Sequence, residues 1–214
     1  MGEGWPVMGT TIVVGITFGV VARQAGLEPI EITAMSLLVF AGASEFAMVR
    51  LFSEGAATPL VIATVLFINL RHLLMAASLR PYFMRAPPAR RLAAAFFLTD
   101  ESFAMATSHF RRGGTSLVYY VTFAVALFVL WNLSTLAGIA LGSTIGEPRR
   151  YGVDFAITAT FVGIVVLAVR RPVDIAVAVV AAAVAGVLAL AGASTVAVIT
   201  AGALAPALAV FVRK

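Results

Sequence analysis

Cysteine is absent from the 214 residues. That excludes disulfides, thiolate nucleophiles and cysteine-bound metals. Lysine occurs once, as Lys214, so no Gly-Lys-Ser/Thr phosphate loop is present and no lysine stands inside a helix to carry a retinal Schiff base. Neither a His-Glu-x-x-His zinc helix nor a Gly-x-Ser-x-Gly nucleophile elbow occurs, which argues against an enzyme. Charge is scarce as well, at 12% of residues, about half the ~25% usual in soluble domains. No hydrophilic stretch is long enough for a soluble domain. What abounds is apolar surface: 61% of residues are hydrophobic and the mean hydropathy is +1.03. These values place the chain among integral membrane proteins.

The apolar residues fall into runs at 7–22, 30–52, 57–79, 92–110, 115–141, 153–169, 175–191 and 195–212. Most approach or exceed the ~17–25 residues that a spanning helix needs. Turn chemistry separates them, as at Pro87-Pro88 and Gly113-Gly114. The N-terminal residues 1–6 carry Glu3 and no basic residue. A cleaved signal peptide begins with basic residues, so the helix from Val7 is expected to be retained. Residues 1–214 read as a single membrane domain.

The net charge of +5 rests on arginines at the ends of these runs: Arg80, Arg85, Arg90 and Arg91; Arg111 and Arg112; Arg149 and Arg150; Arg170 and Arg171. That distribution is topological and does not describe a nucleic-acid surface. Its weaker reading is contact with lipid head groups. The run 92–110 is split at its centre by Thr99-Asp100-Glu101-Ser102. With the Arg80–Arg91 loop in the cytoplasm and Arg71 left out, a spanning 92–110 divides the basic residues 7 inside and 7 outside. A re-entrant one gives 11 inside and 3 outside, which the positive-inside rule prefers. The expectation is an all-α polytopic membrane protein with about seven transmembrane helices plus a broken or re-entrant segment near 92–110, multi-pass in the plasma (inner) membrane. Irregular backbone at that depth is allowed where it lines a cavity.

The polar residues inside the runs carry the functional signal. Asn69, Arg71 and His72 interrupt 57–79, and Glu45 follows Ser44 in the middle of 30–52. A charge at mid-membrane costs about 2.5–3.5 kcal/mol on insertion scales, so such groups are expected to meet one another or water. Asn69 and His72 share a helix face, whereas Arg71 lies about 100° round. Taken alone, His72 is more simply an interior histidine bonded to a neighbouring helix. Arg71 lies eight residues from the end of its run, roughly 12 Å along a helix, near the limit of snorkelling. Pairing with Asp100, Glu101 or Glu45 is the favoured alternative. Thr99 suits an N-cap for a helix beginning at Asp100, and free N–H groups at such an end bind carboxylates. Gly42 between alanines also fits a tight helix crossing, which leaves Glu45 unexplained. Asn132 beside Trp131, and Asp154, read as interhelical glue and interfacial anchors.

A zwitterion needs opposite charges within a few ångströms. Arg71 or a helix N-terminus suits its carboxylate, and Glu45, Asp100 or Glu101 its amine. Phe40, Phe46, Phe96 and Phe97 supply apolar walls. A carboxylate in a partly dry site can also load a proton. Residues 38–49 and 188–199 echo each other through Ala-Gly-Ala-Ser. Inverted repeats mark transporters, but chance in a chain rich in alanine and glycine is the simpler account. Competing readings are an intramembrane enzyme using His72 with Asp100 or Glu101, and an ion channel lined by Asn69 and Glu45. No metal and no cofactor is called for.

Three motifs in order, Phe40-Ala-Gly-Ala-Ser-Glu-Phe46, Asn69-Leu-Arg-His-Leu73 with Ser78-Leu79-Arg80, and Leu98-Thr-Asp-Glu-Ser-Phe-Ala104, resemble the AzlC family. Gly15 to Gly19, with Ala22-Arg23 before Gly26-Leu27, is similar to that family's first helix. The resemblance implies the larger subunit of an exporter of branched-chain amino acids, with a small AzlD-like membrane protein as partner. It implies functional positions at Ser44, Glu45, Asn69, Arg71, His72, Asp100 and Glu101. One departure is Glu45, where the family commonly has glutamine.

Overall fold

A computed structural model describes residues 4–84, 86–144 and 172–191. Eight helices account for nearly all of them: α1 (Trp5–Gln24), α2 (Pro29–Leu38), α3 (Gly42–Ser53), α4 (Thr58–Phe83), α5 (Pro88–Phe96), α6 (Asp100–Arg111), α7 (Leu117–Thr144) and α8 (Pro172–Leu190). No strand occurs among the described residues. The coordinates fall into two units, 1–156 and 157–214. The first holds α1–α7 and the second holds α8.

Four helices are long and apolar enough to cross a membrane: α1, α4, α7 and α8. They correspond to the runs 7–22, 57–79, 115–141 and 175–191. The runs 153–169 and 195–212 lie outside the described residues, as do Asp154 and residues 192–199 of the internal echo. The remaining four helices have 9 to 12 residues, only about half a bilayer in length at 1.5 Å per residue. They form two pairs, each a single apolar run with a break in the middle. The split in 92–110 matches the expected broken segment. The split in 30–52 corrects the expectation of one continuous helix there.

The two breaks have different causes. At 97–99 the polar side chains make the stop. Thr99 Oγ1 accepts from the Ser102 N–H at 3.3 Å, and Ser102 Oγ accepts from the Thr99 N–H at 2.8 Å. This reciprocal cap starts α6. At 39–41 no proline, glycine or capping hydroxyl forces a stop. Phe40 instead takes a left-handed φ of 45°, a conformation that costs a bulky residue about 1–3 kcal/mol. Its ring packs edge-on against Phe128 of α7, with centroids 4.9 Å apart. Tertiary packing holds this break.

α7 is the axis of the first unit, and α1 packs along it more extensively than any other helix. Small residues bring the two backbones together. A Cβ on Gly19 would run into the Thr135 carbonyl and Gly138, and one on Gly138 would run into the Ile16 carbonyl. Gly15 lies against Ser134 and Trp131, and Gly142 against Val20 and Arg23. The fit is that of small-residue helix pairing in membranes.

Candidate functional site

The two breaks converge on one turn of α7. Phe40, from the first break, and Phe97, from the second, both set their rings against Phe128, at 4.9 and 5.3 Å. Phe96 joins them at 5.9 Å from Phe128. One helical turn further along, Trp131 stacks on Phe18 at 5.8 Å and lies over Gly42 at the start of α3. Phe128 and Trp131 thus belong to the candidate site although nothing polar marked them. Trp131 is 7% exposed, which corrects its reading as an interfacial anchor. Asn132 bonds to the Phe128 carbonyl of its own helix at 2.9 Å, so it is not interhelical glue.

Two polar clusters lie on this frame. The first joins α4 to the N-terminus of α6. Arg71 Nη1 meets Asp100 Oδ2 at 2.8 Å. Of the three acids offered as partners by the sequence, the ion pair selects Asp100. Arg71 stands at the middle of the 26-residue α4, about 18 Å from its C-terminal end. The pair is half-exposed in the isolated chain, at 34% and 50% of side-chain area, and is not the fully buried pair expected. Asp100 and Glu101 occupy the first turn of α6, where the helix dipole favours negative charge. His72 Nδ1 lies 3.1 Å from the Asn69 carbonyl, and the ring stands in the field of Arg71, Asp100 and Glu101. The Arg71 Nε–H donor is buried with no hydrogen-bond partner, and so, on another face of α4, is the Asn69 Oδ1 acceptor.

The second cluster lies at the start of α3. Ser44 and Glu45 are fully buried. Ser44 Oγ donates to the Ala41 carbonyl at 2.8 Å, and Glu45 Oε2 accepts from the Ala41 N–H at 3.2 Å. Glu45 thereby satisfies an N–H freed by the break, while the Ala41 carbonyl also accepts from the N–H groups of Ser44 and Glu45. The Trp131 indole N–H lies close enough to the Glu45 carboxylate to act on it as a donor, though neither it nor Glu45 Oε1 completes a well-formed hydrogen bond. Close by in the same core, Ser36 Oγ donates to Thr135 Oγ1 at 3.4 Å. Glu45 is therefore separate from the Arg71–Asp100 pair, and the single gathering of all the charges expected from sequence resolves into two clusters. Thr99 belongs to neither as a charge. It is the cap that orients Asp100 and Glu101.

Comparison with known proteins follows from these motifs. The profile of the family described as AzlC protein matches residues 6–145. An "Uncharacterized membrane protein" of Archaeoglobus fulgidus is 31% identical over 160 residues, 73% of this chain and 68% of that one. The "Inner membrane protein YgaZ" of Escherichia coli is 28% identical over 175 residues, 79% of this chain and 71% of its own. The "Branched-chain amino acid transport protein AzlC" of Bacillus subtilis is 27% identical over 161 residues, 73% of this chain and 61% of its own. No solved structure matches. The matched region takes in both breaks, both polar clusters and the α1–α7 pairing.

Proposed function

The chain belongs to the AzlC family of membrane proteins, and on that premise we propose that it is the large subunit of a plasma-membrane permease that exports branched-chain or other small neutral amino acids by proton-coupled secondary transport. The observation that carries this reading is the Arg71–Asp100 pair with the unclaimed Nε–H of Arg71. A zwitterion offers one carboxylate and one ammonium. The guanidinium can exchange Asp100 for the substrate carboxylate, with Nε as a second donor to it. The ammonium is then left to Asp100 and Glu101. When the substrate leaves, Arg71 and Asp100 pair again, so no charge stands alone at depth. Phe40, Phe96, Phe97 and Phe128 offer an apolar wall to a branched side chain, which suits leucine, isoleucine and valine.

Glu45 is the group assigned to the coupling proton. It is fully buried, and its Oε1 makes no well-formed hydrogen bond, only the approach of the Trp131 indole N–H. A carboxylate so placed in a membrane core is a functional candidate by default. Glu45→Gln keeps the volume and the acceptor for the Ala41 N–H, so insertion and folding are expected to persist. Flux should remain, while its dependence on pH across the acid-to-neutral range flattens. An unchanged pH profile would move coupling to another group. The small partner is expected against the exposed leucines of α4, among them Leu66, Leu70, Leu73 and Leu74.

The deciding experiment uses proteoliposomes holding the full chain, with and without a small AzlD-like subunit, and follows labelled leucine and valine under an imposed proton gradient. Gradient-driven leucine flux that a non-transported amino acid does not compete with supports the reading. Absence of flux of any neutral amino acid in both preparations removes it.

A further inference from the structure

Away from both clusters, a groove of about 310 Å³ opens between the C-terminal half of α4, α5 and α7. Its walls are apolar, formed by Ala76, Leu79, Ala94 and Leu98, and Arg80 and Arg91 stand at its edge. Tyr120 of α7 donates its hydroxyl to the Ala94 carbonyl at 2.7 Å and so ties α5 into place as the far wall. Both arginines are exposed, and neither has an acidic partner among the described residues. The sequence provides none nearby: residues 55–99 contain five arginines and no acid. α5 itself is a short, strongly amphipathic helix with Arg90 and Arg91 on its polar side, the pattern of a helix lying in the interfacial plane. The positive-inside rule places this end of α4 at the cytoplasmic leaflet.

We infer that this groove binds an anionic phospholipid, with the head-group phosphate held between Arg80 and Arg91 and an acyl chain laid along Ala76, Leu79, Ala94 and Leu98. The occupant follows from complementarity. Two unpaired cations at the mouth of an apolar channel match a molecule that is a monoanion at one end and hydrocarbon at the other. Arginine suits the phosphate because its planar fork donates two parallel hydrogen bonds. A soluble anion leaves the apolar wall unused, and a zwitterionic lipid brings its own cation to the arginines.

The test uses the purified full chain in detergent, with bound lipids counted by native mass spectrometry during titration with phosphatidylglycerol or phosphatidylcholine of equal chain length. Phosphatidylglycerol is expected to bind at least tenfold more tightly. The double variant Arg80→Gln/Arg91→Gln should weaken it roughly thirtyfold and leave phosphatidylcholine unchanged. The control double variant Arg50→Gln/Arg111→Gln removes the same charge elsewhere and should change either lipid less than about threefold. Ala95→Phe, which fills the groove but keeps both arginines, should also weaken phosphatidylglycerol. Equal binding of the two lipids, or equal losses in the two double variants, overturns the inference. So does competition by inorganic phosphate at the concentrations at which the lipid binds, since that outcome describes a free-anion site.

Discussion

Arg71→Ala is expected to lower leucine and valine flux at least a hundredfold while the protein still inserts and purifies as a monodisperse species. The guanidinium sits at the midpoint of α4 and is bound to Asp100 at 2.8 Å, so its removal takes away the cation that an arriving carboxylate would exchange for Asp100. A hundredfold is about 2.7 kcal/mol, the low end for removing a charged partner from a buried pair, which suits a pair that is half-exposed. Arg71→Lys retains the charge but loses the fork and the Nε–H, so partial activity is expected. A structural role is separated from a binding role by Arg71→Ala/Asp100→Ala. This variant removes both charges together, so the burial penalty disappears. If the pair only balances charge, the double variant transports. If Arg71 holds substrate, it does not. Wild-type flux in Arg71→Ala itself would end the exchange mechanism.

The largest expected effect on folding is at Gly138. A methyl group there would meet the backbone of Ile16, and a methyl group on the facing Gly19 would meet the backbone of Thr135. Backbone atoms inside two packed helices cannot step aside as a flexible side chain can. Gly138→Ala therefore has to push α1 away from α7 along their whole contact. Overpacking of this kind costs about 1–3 kcal/mol, occasionally more, and here the upper end or beyond is expected because the largest interface of the unit is disturbed. The readout is a fall in apparent Tm and in the monodisperse fraction. Gly9→Ala on α1 is the matched control, since nothing lies near a Cβ at that position. It should leave Tm unchanged or raise it, because alanine favours a helix over glycine. Equal losses at positions 9 and 138 would show that the small residues are not what sets the approach.

These expectations draw on a fold whose legibility was uneven. Length and apolarity identified α1, α4 and α7 within a few residues at each end, because a helix that crosses lipid must be long and apolar whatever surrounds it. The break at Thr99 was also readable, since Thr, Asp, Glu and Ser in sequence are cap and first turn by their own chemistry. The pairing of Arg71 was readable only as a choice among three acids. Selecting Asp100 required the position of α6 against α4. The aromatic centre was readable only in part: Phe40, Phe96 and Phe97 stood out as apolar walls, but the Phe128 they pack against did not. Phe128 and Trp131 lie in a helix of uniform apolarity, and residues whose role is to touch other apolar residues carry no local mark. Glu45 was recognisable as costly, but its bond to the Ala41 N–H depends on a break that its own segment does not announce.

That last break has a bearing on how the protein is made. Nothing between Leu37 and Ala41 prevents a helix, so the stretch 30–52 is expected to enter the bilayer as one uninterrupted rod. Phe128, against which Phe40 rests in its left-handed backbone, is synthesised many residues later. The rod can fold into α2 and α3 only once α7 has arrived. The carboxylate of Glu45 thus acquires its backbone partner as a late act of assembly, and a nascent chain halted before α7 emerges should hold this segment straight.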